Sequence, residues 1–330
     1  MAGPRIDPSM SPDVNHAKLA PLTPLAPLPP HPPHPPHGPK HVVLCADDFA
    51  FTASASKGIA SLVAQGRLSA TSAMTLSPRW PHDAALLARW RGRIDVGLHL
   101  DWTSPWALAA GHGQSLAALM LQQVAPRGLG AHGRQTKNDL QALVHTQLDA
   151  FEAAWGAPPD HLDGHQHIQQ FEGIRQAMLQ VLVNRYAPSE RPYIRVSRPV
   201  RGLHGFKAWV IQALGAKALL QEAKAAQVPV VGWLAGVDDF MGDAASYRQD
   251  FVRWLQAVPH GALIMCHPGA PSAEASFSMS EGGMGESMDP IAMARVREWA
   301  YFESEAFKED LQRANVVLVR GQDLVRGGLS

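Results

Sequence analysis

From His41 onward, short runs rich in Val, Ile and Leu alternate with stretches of helical periodicity, the pattern of parallel strands joined by helical crossovers. The apolar runs predict strands over 41–48, 69–76, 95–101, 161–168, 193–197, 228–237, 262–267 and 316–320. The intervening periodicity predicts helices over 53–65, 83–90, 138–155, 172–186, 206–226, 245–257 and 291–313. Asn138 and Asp139 suit the start of the third of these, and Gly156 with Pro158 and Pro159 its end. About eight βα repeats in roughly 290 residues fit a distorted (β/α) barrel of seven to eight parallel strands better than two open sheets, so 41–330 is read as one α/β domain. The stretch 103–136 is long for a βα loop and reads as an insertion near the barrel mouth.

Ahead of this pattern, residues 1–40 hold 13 of the 27 prolines and four of the 16 histidines, ending in a Pro/His run. With few branched apolar residues to offset the entropy of ordering, this leader is expected to be disordered. Its prolines also break the one candidate for a secretory signal, and no stretch of the chain is apolar for long enough to span a bilayer. Equal numbers of basic and acidic residues, 29 of each, supply no field for steering a nucleic acid. Cys45 and Cys266 lie in separate apolar runs, so no disulfide framework is expected and a reducing cytoplasm is the simplest compartment.

Parallel barrels carry their chemistry at the C-terminal ends of the strands, and polar residues out of character with a core collect there. The first strand ends in Ala46-Asp47-Asp48, the third in Gly97-Leu98-His99-Leu100, the fourth in His161-Leu162-Asp163-Gly164-His165-Gln166-His167, and the seventh in Cys266-His267-Pro268-Gly269. Adjacent carboxylates at a strand end need a positive partner, and a divalent cation held by imidazoles and a carboxylate meets that need. Asp163, His165 and His167 have period-two spacing, so a strand through 168 turns all three inward. His161 shares the parity but stands at the start of the strand and reads as structural.

These four ordered motifs, together with Phe49, resemble those of the YdjC-like carbohydrate deacetylases, which include chitooligosaccharide and hopanoid-biosynthesis-associated deacetylases. The resemblance runs from residue 41 to about 325. It implies a distorted (β/α) barrel and divalent-metal-dependent removal of acetyl groups from N-acetylated sugars or glycolipids. It makes Asp48, His99 and His165 the ligands of one divalent ion (magnesium or zinc), Asp47 the general base and His267 the general acid. Asp163 and His167 become partners that orient ligands or hold substrate. Two positions depart from the family pattern: Ala50 stands where glycine is usual, and Gln169, at the expected sugar-facing edge, where a further histidine often follows.

Trp102 and Trp106, just past the His99 strand, are placed to stack on a sugar ring at the rim, although buried or loop-packing tryptophans are at least as common. Asp238-Asp239-Phe240, after the sixth strand, reads first as a solvated loop, with reach to the rim as the alternative, and 281–285 reads as a flexible lid or linker. Two rival readings use the same residues. A metal-dependent phosphoester hydrolase would need a cationic clamp, for which Arg195 and Arg198 are available, and an inactive barrel would bind a sugar or a protein. The expected partner is a small acetylated sugar or glycolipid, with no nucleic acid and no membrane span, the chain acting alone or as a homodimer.

Overall fold

In a computed structural model the chain is described over residues 38–124, 135–203, 215–271 and 289–327. The leader up to 37, the first part of the 206–226 helix and the glycine-rich 281–285 lie outside these residues. Strand β1 (Lys40–Phe49) is central, pairing in parallel with β2 (Ala70–Ala73), β8 (Ala262–Cys266) and β9 (Val316–Leu318). From β2 the sheet continues through β3 (Asp95–Leu100), β4 (His161–Gly164) and β5 (Tyr193–Arg195) to β6 (Val230–Val231), and from β8 it continues to β7 (Leu234–Ala235). Since β6 and β7 are successive pieces of one segment, the sheet curls until its two edges meet there. Pro199 also bridges Leu234 across the seam. The architecture is the distorted parallel barrel expected from the sequence, with the single 228–237 strand broken at Gly232-Trp233.

Both faces of β1 beyond His41, and of β2, β3, β4, β5, β7 and β8, are buried, which is why most of the strands read as apolar runs. In β1, Val42, Leu44 and Ala46 face the helical layer, while Val43 and Cys45 face the barrel interior with Ala70, Tyr193, Val231, Leu234, Leu263 and Met265. Inward parity then places a polar layer above this apolar plug: Asp47, Ser72, His99, Asp163 and Arg195. Gly97 leaves room for the His161 ring, with which any side chain there would collide.

The helices are α1 (Ala53–Ala64), α2 (Trp80–Asp83), α3 (Pro105–Ala109), α4 (Leu116–Val124), α5 (Lys137–Trp155), α6 (Glu172–Arg185), α7 (Lys217–Ala225), α8 (Ala244–Ala257), α9 (Ala292–Glu303), α10 (Glu305–Arg313) and α11 (Gly321–Arg326). Thr136, not Asn138, caps α5, in a reciprocal box with Asp139, and Gly156 closes it in the left-handed conformation. The expected 291–313 helix is two, because Ser304 ends α9 and caps α10. The 83–90 stretch is α2 followed by two 3-10 turns, and the insertion carries α3 and α4. Among the described residues no helix is long and apolar enough to cross a membrane.

The fourth strand departs most from expectation. It stops at Gly164, and 165–170 form 3-10 turns in which Gln166 and His167 take left-handed backbone angles. Only Asp163 and His161 therefore face inward by strand parity. His165 and His167 reach the mouth from a tight turn, which a polar His-Gln-His without β-branched residues favours over continued pairing.

Candidate active site

Successive residues of a regular strand point to opposite faces, yet Asp47 and Asp48 both reach the barrel mouth. The register between β1 and β2 shifts between Ala46 and Phe49, and Asp48 sits at φ 64°. This irregularity turns the second carboxylate from the helical layer to the opening. Ala50, at φ 69°, completes the turn; its N–H donates to Ser56 Oγ and its carbonyl accepts from Ser77 Oγ.

Asp48 Oδ1 lies 3.1 Å from His165 Nδ1 and 3.4 Å from His99 Nε2, and donor atoms of the three residues lie within 4.8 Å of one another. His99 Nδ1 donates to Asp163 Oδ1 at 2.6 Å, its register partner across β3 and β4, so Nε2 faces the cluster. A carboxylate fixing the far nitrogen is the usual way an imidazole ligand is oriented. Burial opposes a charge on His99, but Asp163, Asp48 and Asp47 outweigh it and push the imidazole up to about 10. These carboxylates favour positive charge at Nε2, of the kind a divalent cation beside Asp48, His99 and His165 would supply. The donor set of one carboxylate and two imidazoles fits such an ion. Two other clusters, Cys45–His161–Asp163 and Asp47–His99–Asp163, have similar spacing. Both share carboxylates that already face the Arg195 guanidinium.

That guanidinium, wholly buried at the end of β5, grips Asp47 with Nη1–Oδ1 at 2.6 Å and Nη2–Oδ2 at 2.8 Å, and lies 3.2 Å from Asp163 Oδ2. Burial would raise the Asp47 carboxyl, yet Arg195 and His99 hold it below the usual carboxylate range. Arg198 meanwhile stacks 3.5 Å from the Trp233 ring centroid and donates to the Gly232 carbonyl. Arg195 is therefore committed to its carboxylates, and Arg198 does not line the cavity beside Asp47. Asp48 is likewise held well below its usual range: burial works against its charge, but Arg295, 2.8 Å from Oδ2, and His165 prevail.

His267 follows β8, with Nε2 4.0 Å from Asp47 Oδ2 and its ring edge-on to Phe240. Burial lowers its imidazole to about 4, so it is neutral at pH 7. His167 Nδ1 pairs with Ser197 Oγ at 3.0 Å, and burial together with the nearby Arg195 charge lowers it to about 3. Asp47, Asp48, His99, His165, His167, His267 and Arg295 line a cavity of about 550 Å³, whose remaining wall includes Phe51, Leu116, Met120, Val237, Phe240 and Ile291.

Three sequence expectations are corrected. Trp102 is fully buried, its indole N–H on Gln135, so it presents no face to a sugar; Trp106 touches Phe51 rather than lining the cavity. Gln169 is also buried, donating to the Arg195 carbonyl and Ser197 Oγ, and so supports the end of β5 instead of a sugar-facing edge. Asp238 and Phe240 are not a solvated loop: they line the cavity, with Asp238 paired to Arg297. Arg295, which bridges Asp48 and Asp289, was invisible in the sequence because an arginine in an amphipathic helix looks like a solvated face.

A curled parallel barrel with carboxylates and imidazoles gathered over its strand ends defines an α/β barrel of hydrolase type. The chain belongs to the YdjC-like protein family, whose model matches residues 41–313. It is 27% identical over 306 residues to a mouse protein named carbohydrate deacetylase, covering 86% of this chain and 94% of that one. A Geobacillus stearothermophilus carbohydrate deacetylase is 27% identical over 234 residues, covering 70% and 80% of the two chains. A Yersinia pestis chitooligosaccharide deacetylase is 28% identical over 166 residues, covering 50% and 63%. A solved structure from Enterococcus faecalis V583, provisionally assigned to cellobiose-phosphate cleavage, shares the fold with a TM-score of 0.61 at 16% identity, covering 87% of this chain and all of that one.

Proposed function

We propose that this protein is a divalent-metal-dependent carbohydrate deacetylase that hydrolyses the acetamide of an N-acetylated sugar or glycolipid. The observation that carries the reading is the cluster of Asp48, His99 and His165 beside a clamped Asp47, inside a cavity closed on its far side by His267. Asp48, His99 and His165 would hold one ion, magnesium or zinc. When bound, that ion supplies Lewis acidity, which polarises an amide carbonyl and acidifies water.

The chain's own residues supply the proton handling. Amide hydrolysis consumes one water, and the proton it loses must reach the departing nitrogen. Asp47, kept anionic by Arg195, is the acceptor, and His267 stands across a gap that one water can bridge. A neutral His267 takes up the proton and returns it to the amine as the C–N bond breaks. Asp163 holds the His99 tautomer, and His167 lies where it can meet the sugar.

Four carboxylates, Asp47, Asp48, Asp163 and Asp289, face two guanidiniums, Arg195 and Arg295. A divalent cation brings this set to neutrality, which suits an uncharged acetylated substrate and disfavours a phosphoester. The apolar wall favours a substrate with an apolar portion, the glycolipid end of the range. Free, buried Cys45 and Cys266 suit a cytoplasmic protein.

The test is acetate release, measured beside phosphate release, from acetylated sugars, glycolipids and phosphorylated sugars with metal-loaded protein and with His99→Ala. Acetate release that chelator abolishes, and that Asp47→Asn lowers by roughly 100- to 10,000-fold, is expected. Full activity in chelator, or phosphate release alone, would overturn the reading.

A further inference from the structure

Helix α9 lies outside the barrel, yet three of its side chains reach the site. Arg295 bridges Asp48 and Asp289. Arg297 pairs with Asp238 at 2.6 Å and donates to the carbonyls of Met241 and Gly242, pinning the loop that carries Phe240 against the His267 ring. Glu298, three residues after Arg295 and almost fully buried, accepts the main-chain N–H of His267 at Oε2, 2.6 Å away.

This last contact falls where β8 ends. Cys266 is the last strand residue, and the chain then leaves the sheet and docks on α9 and α1. Gly269 N–H donates to the Arg295 carbonyl and Ala270 N–H to the Ser54 carbonyl. A side chain at Gly269 would press on Arg295. The His267 ring has no comparable tether among the described residues: Nδ1 is buried without a hydrogen-bond partner, and Nε2 is 4.0 Å from Asp47. The direction of the imidazole is therefore set from its main chain and by packing of Phe240. A carboxyl at 298 is an expensive choice for a purely structural prop, since burial pushes it up to about 8.

We propose that Glu298 is the positioning residue for His267, holding the first residue beyond β8 so that Nε2 faces Asp47 across the cavity. The same helix holds Asp48 through Arg295, so one rigid element sets the separation of the ligand cluster from His267. The inference rests on the deacetylase reading, in which His267 carries the leaving-group proton.

Glutamine keeps an acceptor oxygen at the same reach and leucine removes it. On N-acetylated chitooligosaccharide or glycolipid acetate release, Glu298→Gln should retain kcat within about threefold. Glu298→Leu should lower kcat roughly 10- to 100-fold, the scale of a small misplacement of a reacting group. KM and the affinity for the divalent ion, measured by calorimetry, should stay within about twofold in both, because neither variant touches Asp48, His99, His165 or the apolar wall. In the unmodified protein the His267 amide should be strongly protected from hydrogen exchange, a reading that needs no variant to fold. An unprotected His267 amide, a Glu298→Leu protein with unchanged kcat, or equal losses in Glu298→Gln and Glu298→Leu would each overturn the proposal. His267→Ala separates the two levels. If it stays active, the underlying reading fails; if it is inactive while Glu298→Leu is active, only this inference fails.

Discussion

Arg195→Met tests how the inner polar layer is held together. The wild-type guanidinium makes two charge-assisted hydrogen bonds to Asp47 and lies 3.2 Å from Asp163, and all three residues are buried. Methionine fills much of the volume but leaves two carboxylates sharing one imidazole. Removing one partner of a buried ionic group costs about 3–5 kcal/mol, far more than the pair contributes over an apolar replacement. For a domain of this size that corresponds to a fall in Tm of roughly 5–8 °C, read by scanning calorimetry in chelator. The charge balance gives a second, opposite signature. Losing Arg195 leaves one more uncompensated negative charge, so the variant should bind the divalent ion more tightly and gain more Tm from it than the wild type does. The pH dependence follows in sign. Asp47, depressed in the native protein, contributes stability above the unfolded carboxylate range that is lost as pH falls through its folded value. Without Arg195, burial and Asp163 push it upward, so that contribution reverses and the acid limb of activity moves to higher pH. A variant melting within about 2 °C of wild type in chelator, or gaining less from the ion, would refute the argument.

Glu298, raised to about 8, lends stability that is whole below the unfolded glutamate range and is lost as pH rises through 8; Asp238, Arg295 and Arg297 surround it. Urea unfolding at pH 6 and pH 8 should therefore show a fall of roughly 2 kcal/mol in wild type that Glu298→Gln lacks. At Ala50, glycine relieves about 1 kcal/mol of left-handed strain but forfeits a buried methyl group and chain entropy. Denaturant midpoints should place Ala50→Gly within about 1 kcal/mol of wild type and Ala50→Val at least about 2 kcal/mol below it. Trp102→Ala should lose about 3–5 kcal/mol by the same measurement, with KM unchanged per folded molecule, whereas a raised KM would return Trp102 to the substrate.

Strands buried on both faces announce themselves as apolar runs, so the barrel was legible from the pattern of Val, Ile and Leu alone. Asp47, Asp48, His99, His165 and His267 were legible because charged and imidazole groups at the ends of such runs have no packing reason to be there. The structure brings these five together around one cavity. What failed depended on backbone geometry that periodicity does not encode. The left-handed turn after Gly164 replaced strand parity for His165 and His167, and the shift between Ala46 and Phe49 rotated Asp48. The inward direction of Trp102 was not legible, because proximity in sequence to a site residue says nothing about which way an indole points. Arg295 and Glu298 sit on a helix about 250 residues from the carboxylates of β1, among charges that look solvated until the tertiary contacts are seen.

The break at Gly232-Trp233 gives the barrel a short seam, two residues of β6 against β5 and two of β7 against β8. This seam, made of two short pieces in place of one continuous strand, separates the strand that delivers Arg195 from the strand that leads to His267. Opening it moves the clamp on Asp47 away from the imidazole opposite while leaving the pairing of β1 with β2, β8 and β9 intact. Heat should thus silence the enzyme before it melts, with activity falling at temperatures where most of the helical and sheet signal survives.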